Sequence, residues 1–211
     1  TVYGESGLAV PGGLRLRPLE ETKSIVQSNK ALIQVCKPLV ESQNAGRILD
    51  FFPDSKAIWM VRDYRDVVRS AIRKFSDAAG HRNLAPILDD SASPTFAAEN
   101  VSQETRLVIR RLFSHDSSVE DAQALYWYVR NVTYFEQGLN ENNRVRLCFY
   151  DDFVGNPEGQ LRRVYDYIGQ RFPGSKIVKD VHSRSSNQNR PINVAKSIDD
   201  LCKELALRFR E

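Results

Sequence analysis

Two side chains in the first third of the chain have the chemistry of an anion-binding pair. Arg62 follows a short apolar run, and Ser70 lies in the polar stretch after it. A guanidinium is a planar fork of donors that matches a phosphate, and a hydroxyl can complete the same set of hydrogen bonds. Helix amino termini also favour phosphate groups. This combination predicts that the segment from Arg62 to Ser70 binds a phosphate.

The elements around this pair are predicted to bring it to one crevice. Residues 57–61 form a compact apolar run that is typical of a buried strand. Asp63 can cap a helix over residues 64–75. In open α/β sheets, ligands bind at the carboxyl ends of the strands. We therefore expect Arg62, at the end of the strand, and Ser70, on the following helix, to face the same crevice.

Two further strands are predicted. Residues 31–36 form an apolar strand that ends at Lys37, whose amino group would project into the same crevice. A helix-length segment, residues 43–52, separates this strand from residues 57–61, so the two strands should form a parallel, right-handed unit. Residues 144–150 supply the third parallel strand. The predicted fold class is α/β, with three layers and a mainly parallel sheet flanked by helices.

The middle of the chain contains a predicted loop and two predicted helices. Residues 76–95 are expected to be loop because they contain Gly, Pro and Asp at short intervals. Residues 103–113 and 120–139 are expected to be helical. In the second helix, Leu125 and Val132 recur at the spacing of a core-facing stripe.

The segment from Arg62 to Ser70 resembles a known family. It reads Arg-Asp-Tyr-Arg-Asp-Val-Val-Arg-Ser. It is similar to the signature Arg-Asp-Pro-Arg-Asp-Val-x-x-Ser of sulfotransferases that use 3′-phosphoadenosine 5′-phosphosulfate (PAPS), with Tyr64 in place of the common Pro. Residues 49–56 and 150–169 resemble two further blocks of that family. The resemblance extends from about residue 1 to the end and implies the family's P-loop-like α/β fold.

The resemblance also implies a reaction. The family moves a sulfuryl group from PAPS to a hydroxyl or amine, leaves PAP as product and requires no metal. Arg62 and Ser70 would hold the 3′-phosphate, and Tyr150 would lie near the adenosine. Lys37 would offset charge on the sulfuryl oxygens. The acceptor is expected to be a small molecule or a carbohydrate, and the sequence leaves its identity open.

The proton acceptor departs from the family pattern. Cytosolic members place a His base two residues after the strand-end lysine, and this chain has Leu39 there. Glu5 and Glu41 are the carboxylates that could replace it. We favour Glu5, because it ends a strand-like run at the expected edge of the active site.

The beginning of the chain departs from the family as well. The family's phosphosulfate-binding loop, typically Pro-[Lys/Arg]-Ser-Gly-Thr-Thr, does not occur in this sequence. Residues 3–5, Tyr-Gly-Glu, resemble a segment that follows that loop in many bacterial members. We therefore expect residues 1–211 to be a single sulfotransferase-like domain that begins inside the fold.

Composition restricts the class of protein further. The chain has 211 residues, 41% hydrophobic and 27% charged, with a net charge of +3, as expected for one globular domain. The mild basic excess does not indicate binding to DNA or RNA. No apolar run reaches the roughly 18 residues of a membrane span, and we expect a cytoplasmic protein. Cys36 and Cys148 lie in apolar runs and are expected to be buried free thiols, and the histidines form no metal-ligand pattern. The oligomeric state is left open.

Two other classes of protein remain open. A relative of the P-loop nucleotide kinases should contain Gly-x-x-x-x-Gly-Lys-[Ser/Thr] and need magnesium. A non-catalytic PAP-binding or scaffold domain would explain the missing loop and the missing His. Binding of PAP without turnover would indicate the scaffold, and magnesium-dependent use of ATP would indicate the kinase.

We predict that the 211-residue chain alone transfers sulfate inefficiently. Without a phosphosulfate-binding loop, the donor lacks part of its expected cradle. Addition of the natural upstream segment should restore transfer, measured with labelled PAPS and a suitable acceptor. Full turnover by the chain as it stands would contradict this prediction.

Overall fold

The computed structural model describes residues 2–3, 7–11, 13–38, 40–75, 78–89, 95–181 and 191–211. The strands are β1 (Val2–Tyr3), β2 (Val35–Cys36), β3 (Ala57–Val61) and β4 (Val145–Phe149). The α-helices are α1 (Leu19–Ser28), α2 (Ala45–Phe51), α3 (Tyr64–Lys74), α4 (Ala79–Leu88), α5 (Gln103–Leu112), α6 (Val119–Glu136), α7 (Tyr150–Gly155), α8 (Pro157–Tyr167) and α9 (Lys196–Arg208). Short 3₁₀ helices lie at Ser42–Asn44 and Ser175–Val178. Parallel strand pairs packed with helices make this an α/β architecture.

β3 and β4 lie side by side and run parallel. Their register pairs Val61 with Phe149 at the carboxyl end of both strands. Trp59 packs against the core and Val61 is buried within it. The prediction that these two segments form parallel strands is confirmed. Because the strands end together, Arg62 and Tyr150 leave the sheet next to each other.

β2 is shorter than predicted and has a different partner. Of the predicted strand over residues 31–36, only Val35–Cys36 forms a ladder, and it pairs in parallel with β1. The Gln34 amide donates instead to the carbonyls of Val26 and Asn29 at the end of α1, at 2.9 and 3.2 Å. These bonds hold the preceding segment against α1. In the described residues β2 therefore does not pair with β3, which corrects the predicted two-strand unit.

One face of β3 is covered and the other is exposed. The core packs on the face that carries Trp59, whereas Ile58 and Met60 on the opposite face are each 42% exposed. Successive side chains of a strand point to opposite faces, so this alternation follows from the pleat. The expected layering is seen on one side of β3, and the third layer stays a prediction.

α6 is the centre of the core. α3, α4 and α9 all pack against it. Leu125 and Val132, which the sequence predicted to face the core, are buried. Trp127 on the same helix is also buried. The helical periodicity of this segment therefore predicted its role correctly.

α4 forms within a segment that was predicted to be loop. Gly80 approaches α6 so closely that a Cβ at this position would lie 2.9 Å from the carbonyl carbon of Ala122. Leu84 and Ile87 on the same helix are fully buried. Packing against α6 therefore outweighs the weak local helix preference of the segment. The loop prediction was wrong for residues 79–88, and residues 76–77 and 90–94 lie outside the described residues.

The cysteines only partly match the expectation. Cys148 and Cys202 are buried free thiols, but Cys36 is exposed. Cys36 lies in the small β1–β2 sheet, where Val35 is also exposed. The apolar run that predicted burial of Cys36 is thus not covered in the described structure.

Leu125→Ala should lower the free energy of unfolding by about 2–5 kcal/mol, because the substitution leaves a cavity in a fully buried site. The matched control is Leu107→Ala, since Leu107 is 62% exposed on α5 and its loss should change stability by less than about 0.5 kcal/mol. Urea unfolding of both variants measures the difference. Equal effects at the two positions would contradict the central place of α6.

Candidate functional site

Arg62 and Tyr150 meet at the carboxyl end of the β3–β4 pair. The guanidinium carbon of Arg62 lies 4.6 Å from the centroid of the Tyr150 ring. The Arg62 side chain is only 19% exposed. A cation at this distance is attracted by the negative face of the ring. The structure therefore brings together two residues that the sequence assigned to one site.

The turn after β3 is fixed by a helix cap and by a side chain from α6. The Asp63 carboxylate accepts hydrogen bonds from the backbone N–H groups of Arg65 and Asp66, at 2.8 and 3.4 Å. This is the cap that the sequence predicted. The Trp127 indole N–H donates to the Arg62 carbonyl at 3.1 Å. The backbone at Arg62 is thus held by the cap of α3 and by a side chain of α6.

A buried carboxylate on α3 organises the positive charge of the site. Asp66 is 3% exposed and forms ion pairs with Arg62, at 3.7 Å, and with Arg69. Ser70 lies one turn after Asp66 on the same face of α3 and is half-buried. Two guanidinium groups and a hydroxyl on one side of α3 are donors of the kind that can bind a phosphate. Sequence reasoning did not assign Arg69 to the site, although its spacing of three residues from Asp66 was a usable signal.

Lys37 has different neighbours from Arg62. It follows β2, in the two-stranded sheet with β1, and is exposed. A small pocket formed with Leu8, Leu14 and Leu16 lies beside it. The ladder that carries Arg62 and Tyr150 does not include β2. The role of Lys37 at the sulfuryl group therefore stays a prediction.

Of the two candidate bases, Glu41 has the contacts of a structural group. Glu41 is buried and accepts hydrogen bonds from Arg15 Nε, the Leu16 N–H and the Asn44 amide, at 2.8, 2.9 and 2.9 Å. Burial alone raises the pKa of this carboxyl, but these bonds outweigh it and hold the pKa below its ordinary value. A carboxylate that is stabilised in this way is a weak proton acceptor. Glu5 lies outside the described residues, and its role stays a prediction.

Glu41 belongs to a larger polar network. Arg15 also forms an ion pair with Glu99 at 2.8 Å. Gln43 donates to Glu99 at 3.2 Å and accepts a hydrogen bond from Arg130 on α6 at 2.6 Å. The network joins the segment around Arg15, which is bridged as a hairpin between residues 9 and 16, to α6. Its carboxylates are therefore engaged in holding this segment in place.

α9 also contributes a side chain to the surroundings of the site. Asp199 accepts a hydrogen bond from the Tyr64 hydroxyl and forms an ion pair with Arg65 at 2.5 Å. Sequence reasoning did not find Asp199, because no local pattern connects α9 with the turn after β3. Its contacts depend on how α9 packs on the core.

The parallel strands and their packed helices define an α/β protein, and a cluster of arginines around the buried Asp66 lies at the carboxyl end of its β3–β4 pair. A model of the sulfotransferase family matches residues 19–174. The match includes β3, α3 and β4, with Arg62, Ser70 and Tyr150, whereas α9 and Asp199 lie beyond it. The chain belongs to the sulfotransferase family.

A solved structure supports the same fold. The chain is similar to the sulfotransferase domain from the curacin biosynthetic pathway, with 15% sequence identity and a TM-score of 0.51. The alignment covers 89% of this chain and 67% of that domain. No match was found among curated proteins.

None of the described helices is both long and apolar enough to cross a membrane. Among the described residues, no group of three or more His, Cys, Asp or Glu side chains is placed to hold a metal ion.

Glu41→Gln should lower the free energy of unfolding at neutral pH. The free energy of unfolding of this variant should also fall less steeply as the pH is lowered. The pKa of Glu41 in the folded protein lies below its ordinary value of 4.5, so the unfolded state binds the proton more readily. The stabilisation is therefore fully present above about pH 4.5 and is lost as the pH falls through the lower folded pKa.

Urea midpoints between about pH 7 and 3 test this expectation. The control is Glu141→Gln, since Glu141 is exposed in the turn before β4. If Glu41→Gln keeps the acid dependence of the unchanged protein, the network does not hold Glu41 ionised.

Proposed function

We propose that this chain binds PAPS and transfers its sulfuryl group to a hydroxyl or amine of a small-molecule or carbohydrate acceptor. The observation that carries the proposal is the contact of the Arg62 guanidinium with both the Tyr150 ring and the buried Asp66 carboxylate. Family membership supports sulfuryl transfer in general. The site's donors support a phosphate-bearing donor molecule in particular.

The residues present fit the 3′-phosphate of this donor. Arg62 would offer its guanidinium fork, and Ser70 would add a hydroxyl from the second turn of α3. Arg69 lies on the same side of α3 and adds positive charge. Tyr150 would lie beside the adenosine while its ring holds Arg62 in place. Buried Asp66 keeps the two guanidinium groups from repelling each other.

The proposed reaction needs alignment and charge compensation more than covalent chemistry by the protein, by analogy with phosphoryl transfer. PAPS supplies the activated sulfuryl group. The acceptor atom bonds to sulfur while the bond from sulfur to the 5′-phosphate oxygen breaks, which leaves PAP. Lys37 would stabilise charge on the sulfuryl oxygens, and Glu5 would take the acceptor's proton.

A non-catalytic PAP-binding domain is the second candidate. Lys37 lies beside a different sheet from Arg62, and Glu41 is fully engaged by Arg15 and Asn44. Both observations concern residues considered for catalysis. Neither concerns the residues proposed to hold the nucleotide. Binding of PAP without transfer from PAPS to any acceptor would favour this candidate.

Arg62→Ala should weaken PAP binding at least tenfold and leave 5′-AMP binding almost unchanged. Hydrogen bonds to charged groups contribute about 1.5–3 kcal/mol, and 5′-AMP lacks the phosphate that Arg62 would contact. Ser70→Ala should act in the same direction but less, since a neutral hydroxyl is the weaker donor. Calorimetric titration with both nucleotides measures these affinities.

The matched control is Arg111→Ala, which removes an exposed arginine at the end of α5. It should leave both affinities unchanged. If the unmutated protein binds PAP and 5′-AMP equally, the proposed nucleotide site is wrong.

A further inference from the structure

The turn that carries Arg62 is held by contacts with α9, which is distant in sequence. Tyr64, the first residue of α3, is 1% exposed, and its hydroxyl donates to Asp199 on α9. Arg65 donates to the same carboxylate at 2.5 Å. Asp199 thus contacts two consecutive residues of the turn, separated from Arg62 only by Asp63.

The contacts of the Asp199 carboxylate stabilise its ionised form. Burial raises its pKa, but hydrogen bonds from Lys203 and Tyr64, with the nearby charge of Arg65, lower the pKa below its ordinary value. Lys203 lies one turn later on α9, with its amino group 2.5 Å from the carboxylate. The side chain is 19% exposed, which is low for a charged residue. The carboxylate therefore offers a fixed, charged acceptor to the turn.

Apolar side chains also attach α9 to the core. Ile198, Cys202 and Leu205 are between 0% and 4% exposed and pack α9 into the core. Loss of the Asp199 carboxylate should therefore leave α9 docked, while it releases the side chains of Tyr64 and Arg65. The consequence of that loss should be local to the turn.

We propose that Asp199 is a positioning residue for the phosphate-binding arginine. Trp127 holds the carbonyl of Arg62 from α6, and Asp199 holds the two residues that begin α3. Together they hold the backbone from which the Arg62 side chain extends to Tyr150 and Asp66. This inference rests on the proposed function, because it assigns α9 a part in reading the 3′-phosphate. A ligand-binding side chain must be held closely by its supporting residues to contribute its full affinity.

The first test compares PAP and 5′-AMP by calorimetry. Asp199→Ala should weaken PAP binding about fivefold or more and leave 5′-AMP binding unchanged, because only PAP uses the aligned Arg62. Tyr64→Phe removes one hydroxyl and keeps the buried ring, so it should give a smaller loss in the same direction. Asp199→Asn should lie between these two variants, since it keeps an acceptor for Tyr64 but loses the charge that pairs with Arg65.

The matched control is Asp200→Ala. Asp200 is the adjacent carboxylate on α9, is exposed and forms an ion pair with Lys196 on its own helix. Its loss should leave the ratio of PAP to 5′-AMP affinity unchanged. If Asp199→Ala lowers both affinities equally, or lowers only the unfolding midpoint, Asp199 has a purely structural role and the proposal is overturned.

The second test needs no nucleotide. In NMR spectra of the free protein, the Arg62 side-chain N–H signal, assigned with Arg62→Lys, should be shifted by the Tyr150 ring. Asp199→Ala and Tyr64→Phe should reduce that shift, and Asp200→Ala should not. An unmoved Arg62 signal in Asp199→Ala overturns the proposal by itself. If Arg62 moves as expected but the unmutated protein does not prefer PAP, the positioning stands and the proposed function fails.

Discussion

The parallel pairing of β3 with β4 is the constraint on which the rest of the site depends. Because Val61 and Phe149 lie opposite each other, the next residues of both strands leave the sheet at one edge. Arg62 is then placed against the ring of Tyr150, and α3 starts immediately beyond it. The helix brings Asp66 and Ser70 to the same edge. A shift in register would separate the cation from its aromatic support and from the helix donors together.

The parts of the molecule that could be predicted from sequence are those that depend on near neighbours. The run of β3, the Asp63 cap and the helix after it are set by residues within a few positions of each other. The same holds for α8, which Asn156 caps through the Gly159 N–H, and for its end, where Gly169 has a φ of 71°. Arg62 and Tyr150 were assigned to one site through the family resemblance, and the parallel register of β3 and β4 explains why they meet.

The parts that could not be predicted depend on contacts between distant segments. α4 forms because Gly80 allows a close approach to α6, and its local composition favours a loop. The sequence left Glu41 open as a possible base, but Arg15 and Asn44 engage its carboxylate in the folded chain. Tyr64 stands where the family signature has Pro, which would fix the backbone at the start of the helix by itself. Here a buried ring and a bond to α9 order that position instead.

The bond between Tyr64 and Asp199 also has a consequence for how the site is acquired during folding. The two residues are 135 positions apart, and contacts of such large sequence separation are costly to close early. A chain emerging from the ribosome contains β3, α3 and Arg62 long before α9 has been synthesised. Its sheet and central helices can assemble first, but the turn gains its contacts with Asp199 only when α9 docks. The turn that carries Arg62 therefore completes its contacts late in the synthesis of the chain.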